Sequence, residues 1–129
     1  MSAFVLDASG LIAMLKQERG GQKVAGSIAF ARIGAVNYAE VMSHFIRAGM
    51  PGREVDAMLD PLPMQIVDAD KSLGQMAGRL RAITAAAGLS LGDRFCLALA
   101  RREGLPAWTA DTAWKTIAES ARVDVVLLR

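Results

Sequence analysis

Little in this 129-residue chain is equipped for thiol, imidazole or aromatic chemistry. It has one cysteine and one histidine, and aromatic residues make up only 5% of it. Cys96 has no partner for an internal disulfide, which fits a reducing cytoplasm. Set among Leu91, Phe95, Ala98 and Leu99, it reads as a small buried hydrophobe rather than a reactive thiol. His44 follows Glu40 by four residues on one helical stretch, but a lone histidine without nearby cysteine argues against zinc. No apolar run reaches the roughly 18 residues of a membrane span. No basic segment precedes a long apolar stretch at the N-terminus, so a signal peptide is not expected. Neither sign of charge dominates: 15 Lys and Arg stand against 13 Asp and Glu. A net charge of +2 permits a nucleic-acid partner without requiring one.

What is present is an aliphatic core. Hydrophobic residues form 53% of the chain, enough to fill one domain spanning 1–129. Short apolar runs alternate with helical patterns. Strands are expected at the N-terminus through Leu6, then at Arg32–Val36, Met64–Val67, Ala107–Thr109 and Val123–Leu128. Helices are expected near 11–15, 23–30, 37–48 and 53–59, then in a long segment from Asp70 or Ser72 through Thr84. Two more follow at 90–103 and 112–119. Gly88 and Gly104 stand where helices stop. Continuously apolar strands separated by helices predict a three-layer α/β/α sandwich around a mainly parallel sheet of four to five strands.

Four acids stand at the junctions of these elements: Asp7, Glu40, Asp93 and Asp111. Asp7 and Asp111 directly follow strands, and Glu40 lies one turn into the helix after a strand. In open α/β sheets, ligands gather outside the carboxyl ends of strands. Each acid also has a structural role open to it. Asp7 could cap a helix, although Ser9 stands nearer that helix's start. Glu40 shares a mixed face with Asn37, Val36, Ser43 and His44. Ser90-Leu91-Gly92-Asp93 is a capping-box pattern, and Asp111 could cap the helix after it. Gathered together, four carboxylates need a cation to neutralise them. Mg²⁺ or Mn²⁺, which prefer oxygen ligands, would suit them, and phosphodiester hydrolysis is the matching chemistry. The arginines concentrate on helices and helix ends, Arg79, Arg94 and Arg101 among them. Arg94, beside Asp93, is a candidate phosphate contact. Trp108 and Trp114 read as core residues.

The segments FVLDASGLIAML, AVNYAEV, LSLGDRFCLALA and TADTAW, in this order, resemble the signature regions of PIN-domain proteins. More narrowly they resemble VapC-type toxins of toxin–antitoxin systems, over essentially the whole chain. The resemblance implies a Mg²⁺- or Mn²⁺-dependent endoribonuclease, held inactive by a cognate antitoxin and working as a homodimer in the cytoplasm. It assigns Asp7, Glu40 and Asp93 to the metal site, with Asp111 as the fourth acid. It also carries Ser9 and Thr109 over as hydrogen-bond donors that fix the carboxylates. The region of Met42, Met50 and Met58, with the first two helices, is where it puts the antitoxin groove and dimer contact. Arg94 and Phe95 depart from the small or aliphatic residues that members often carry after the third acid. A phosphatase of the haloacid-dehalogenase type needs a second Asp two residues after the first, and Asp7-Ala8-Ser9 lacks it. A receiver domain expects an acidic pair before its first helix. A non-catalytic PIN-like scaffold that binds RNA or protein remains the alternative.

Overall fold

The computed structural model describes residues 2–129; Met1, expected in the first strand, lies outside the described residues. Five strands, β1 (Phe4–Leu6), β2 (Ala31–Gly34), β3 (Gln65–Val67), β4 (Ala107–Thr109) and β5 (Val125–Leu127), form one sheet. Its order is β3-β2-β1-β4-β5 and every pairing is parallel. The expected strands are all present, and the sheet has no antiparallel member.

Alternation along the central strand divides the core in two. Phe4 and Leu6 join one cluster with Leu11, Val24, Ile33, Val41, Val55 and Leu59. Val5 joins the other with Leu73, Ala77, Leu97, Leu99 and Trp114. Helices α1 (Ala8–Leu15), α2 (Gly21–Ala25), α3 (Ala35–Arg47) and α4 (Gly52–Leu59) supply the first layer. Helices α5 (Lys71–Arg79), α6 (Arg81–Thr84), α7 (Leu91–Glu103) and α8 (Ala118–Ala121) supply the second. Complete burial of one leucine such as Leu97 contributes about 1.5–3 kcal/mol, so both clusters are needed to hold the sheet.

Three helices are shorter than their sequence patterns predict. The long helix expected through Thr84 breaks at Leu80 into α5 and α6, and a 3₁₀ turn at Ala85–Ala87 follows. Thr84 is fully buried and turns its hydroxyl back onto the Leu80 carbonyl at 2.8 Å, a bond that bends helices. The helix expected over 23–30 ends at Gly26 and resumes as a 3₁₀ turn, Ile28–Phe30. The last one divides into a 3₁₀ turn at Thr112–Thr116 and the short α8.

The strand order places a topological switch between β1 and β4. From β1 the chain winds outward through β2 to β3, then returns to the other side of β1. Loops leaving β1 and β4 therefore part in opposite directions and open a crevice at their carboxyl ends. Asp7 and Asp111 are the residues just beyond those two ends.

Candidate functional site

Asp7 is the most constrained of the four acids. It ends β1 and is the N-cap of α1, accepting the Gly10 N–H at 2.8 Å. Ser9, expected nearer the helix start as the alternative cap, lies inside the first turn instead. Its hydroxyl donates to the Asp7 carboxylate, 2.8–2.9 Å from both oxygens. From β4, the buried Thr109 hydroxyl donates to Asp7 Oδ2 at 2.6 Å. The Ser9 oxygen accepts the Ala110 N–H, and the Thr109 oxygen accepts the Asp111 N–H, both at 3.0 Å. One network thus ties the end of β1 to the end of β4. Asp7 is only 3% exposed, and burial pushes its carboxyl up to about 6 despite these donors. The nearby Asp93 adds to the rise.

Glu40 stands on α3, a second wall of the site, and is held differently. Asn37, one turn earlier on α3, donates from Nδ2 to Glu40 Oε1 at 3.0 Å. The same amide reaches the Gly92 carbonyl on α7 at 2.9 Å, so one side chain joins two helices and a carboxylate. A Cβ at Gly92 would stand 2.2–2.4 Å from the Glu40 carboxylate. Only glycine leaves room for it. Burial raises the Glu40 pKa, offset in part by Asn37 and reinforced by Asp93.

Asp93 and Asp111 complete the rim, each turned toward a helix start. Asp93 closes the expected capping box: its carboxylate accepts the Ser90 N–H at 2.9 Å, and Ser90 Oγ accepts the Asp93 N–H at 3.2 Å. Burial raises its pKa, and Asp111 pushes it further up. Asp111 caps the 3₁₀ turn after β4 by accepting the Ala113 N–H at 2.9 Å. Cys96, one turn along α7 from Asp93, is fully buried as expected. Its thiol is pushed well up by burial and by the charges of Asp7, Asp93 and Glu40.

The donor set fits a hard dication in chemistry and in charge: the ligands are all oxygens, and three acids are held above their ordinary pKa. As the carboxylates stand, among the described residues no three of them form a group that could hold an ion. Three of the four, Asp7, Asp93 and Asp111, accept backbone N–H groups at helix starts.

Arg94 does not face this rim. It is buried, with Nη1 donating to the Ala77 carbonyl of α5 at 3.3 Å, and it anchors α7 to its neighbour. The expected phosphate contact is therefore replaced by a helix-packing role. Arg47 is the cation in the roughly 510 Å³ cleft that contains Glu40, with Ser43 and His44 beside it. A larger cleft of about 730 Å³ lies at the α1–α2 turn and contains none of the four acids. Asn37 and Gly92 escaped the sequence reading as site residues. The only trace was the i, i+3 spacing of Asn37 and Glu40 on one helix.

Residues 4–120 match the family described as PIN domain. The chain belongs to the PIN-domain family. Solved structures similar to this PIN domain include DNA-bound VapBC from Salmonella typhimurium, at TM-score 0.76 and 16% identity, covering 100% of both chains. A toxin–antitoxin complex from Klebsiella pneumoniae gives TM-score 0.73 and 19% identity, covering 98% of each chain. VapBC-5 of Mycobacterium tuberculosis gives TM-score 0.67 and 22% identity, covering 98% of this chain and 99% of that one. At these identities the likeness is one of fold. No curated protein sequence matches the chain.

Proposed function

We propose that this PIN domain is a metal-dependent endoribonuclease, the toxin of a toxin–antitoxin pair acting in the cytoplasm. The observation that carries this reading is electrostatic: the charge of Asp93 acts on both Asp7 and Glu40, and that of Asp111 acts on Asp93, beside the ends of β1 and β4. There, burial and mutual repulsion raise the affinity of three of them for positive charge. When bound, Mg²⁺ or Mn²⁺ supplies a hard Lewis acid that offsets charge building on a phosphodiester during hydrolysis.

Asp7 and Asp93 are the groups to hold it, with Asp111 joining them directly or through water. Glu40, half-buried and steadied by Asn37, serves as a further ligand or takes the proton of the attacking water. Ser9 and Thr109 fix the Asp7 carboxylate so that it does not rotate away when charge changes around it. Arg47 is placed to meet a phosphate beside Glu40. The cognate antitoxin is a proposed partner, supported by the likeness to toxin–antitoxin complexes, and a second copy of the chain is proposed beside it on the family resemblance alone. Ile46 on α3, 49% exposed, supports a contact in the α3–α4 region.

A second reading, a scaffold that binds RNA or protein without cutting, draws on the capping bonds that occupy Asp93 and Asp111. One experiment separates the two. Induced expression of the wild type should arrest growth and create discrete new RNA 5′ ends, and Asp7→Asn should do neither. Unchanged RNA in both, with Mn²⁺ binding undetectable by calorimetry, would leave the scaffold.

A further inference from the structure

We propose that a cationic cleft on the α5–α8 side binds RNA backbone phosphates away from the acid cluster. The inference rests on the ribonuclease reading for the identity of its ligand. The cleft has a volume of about 450 Å³. Arg79 at the end of α5, Arg101 on α7 and Arg122 just past α8 converge on it, with Ser120 beside them. Three arginines of this chain are ion-paired: Arg32 with Glu103 at 3.3 Å, Arg102 with Asp70 at 3.0 Å, and Arg129 with Glu18 at 3.7 Å. Among the described residues, Arg79, Arg101 and Arg122 have no acidic partner at ion-pair distance. Of the neighbouring carboxylates, Glu119 precedes Ser120 on α8, and Asp124 lines a smaller adjoining cleft, about 220 Å³, that Arg101 and Arg122 share; neither is at ion-pair distance. Three like charges lining one cleft repel one another until an anion enters.

Arg122 adds an independent observation. Its backbone is left-handed (φ 57°, ψ 45°), a conformation that favours glycine or asparagine. Arginine is a poor choice for that backbone, so what the position gains is the guanidinium.

A guanidinium fork fits phosphate and carboxylate alike. Two features favour phosphates. The cations come from three separate elements along the cleft, which suits a chain with charge at regular intervals. Met76 and Ile83 line the same cleft, with Ile83 40% exposed, and offer an apolar surface on which a base can lie.

The test uses the full chain carrying Asp7→Asn, so that bound RNA is not cut. Anisotropy of a short fluorescein-labelled single-stranded RNA is followed across a KCl series, without divalent cation. Adding Arg79→Ala and Arg101→Ala should weaken binding at least about tenfold and flatten the salt dependence by about 0.7 in log–log slope per lost phosphate contact. Arg122→Gly keeps the left-handed backbone and the fold, and should weaken binding in the same sense. Unchanged affinity and slope in both variants would overturn the proposal. So would a parent that ignores RNA but binds poly-glutamate through these arginines, which would make the site one for an acidic protein. Loss of binding in a protein whose wild type cuts no RNA would sink the nuclease reading and leave the cleft standing.

Discussion

Asp7, just past β1, and Glu40, on α3, are fixed by opposite means. Asp7 is held by a backbone amide and a hydroxyl from the first turn of α1, and by a second hydroxyl from the end of the adjacent strand β4. Glu40 hangs from one amide side chain, over a glycine that leaves it room. The first arrangement belongs to the sheet itself and cannot be loosened without disturbing β1 and β4. The second rests on two side-chain choices, Asn37 and Gly92, that a single substitution can undo. A carboxylate at a switch point can thus be set by topology or by sequence, and this domain uses one of each.

The sharpest way to break the comparison is Asp7→Asn. Cleavage should fall to background while the fold persists, because the asparagine oxygen still accepts the Gly10 N–H and its amide can donate to Thr109. Without divalent cation the variant should also be the more stable protein at neutral pH. The sign follows from the raised pKa. The folded state holds the Asp7 proton up to about pH 6, whereas the unfolded chain loses it near 3.8. Stability from this group is therefore complete below 3.8 and lost as pH rises through 6. The loss amounts to about 3 kcal/mol at pH 7.5. Urea melts of both proteins in EDTA should show that gap at pH 7.5 and see it close toward pH 4. A constant gap would mean that Asp7 ionises freely in the folded protein.

On the other wall, Gly92→Ala should cost more than any change at Asn37, since its methyl group drives the Glu40 carboxylate from its place. Cleavage rates in Mn²⁺ should fall by about a hundredfold with little change in RNA affinity. Asn37→Ala should cost about tenfold, and Asn37→Asp should be worse than Asn37→Ala because it sets a second anion against Glu40. Equal rates in the two Asn37 variants would show that the amide ties the helices together without steering the carboxylate. The smallest effect is expected at Arg94. Arg94→Met removes a buried cation that has one neutral acceptor and an unpartnered Nε. RNA affinity should not change, and stability should hold within about 1 kcal/mol or rise. Weaker RNA binding in that variant would return Arg94 to the substrate.

The sequence made one of these walls far easier to read than the other. Short apolar runs between helical patterns marked the five strands, and Asp7 and Asp111 could be placed near strand ends by adjacency alone. Ser90 and Asp93 announced their capping box because both partners lie within four residues. Asn37 was hidden for the opposite reason: its burial comes from α7 crossing over it, through a bond spanning 55 residues. The same holds for Arg94, which reads as a surface arginine until the Ala77 carbonyl, 17 residues earlier, is brought beside it. Local chemistry shows in a local pattern, whereas the partner of a polar side chain is decided by which helices pack together. The break at Leu80 was missed because its cause, a threonine satisfied by its own helix in a buried setting, leaves the apolar spacing intact.

The hydroxyl that steadies Asp7 comes from Thr109, 102 residues later in the chain, and Thr109 in turn receives a backbone bond from Leu128. A ribosome adding about 5–20 residues per second releases the first acid several seconds before the group that orients it. Throughout that interval the nascent polypeptide carries its first carboxylate without the β4 hydroxyl that binds it. The first acid thus leaves the ribosome well before the strand that fixes its carboxylate exists.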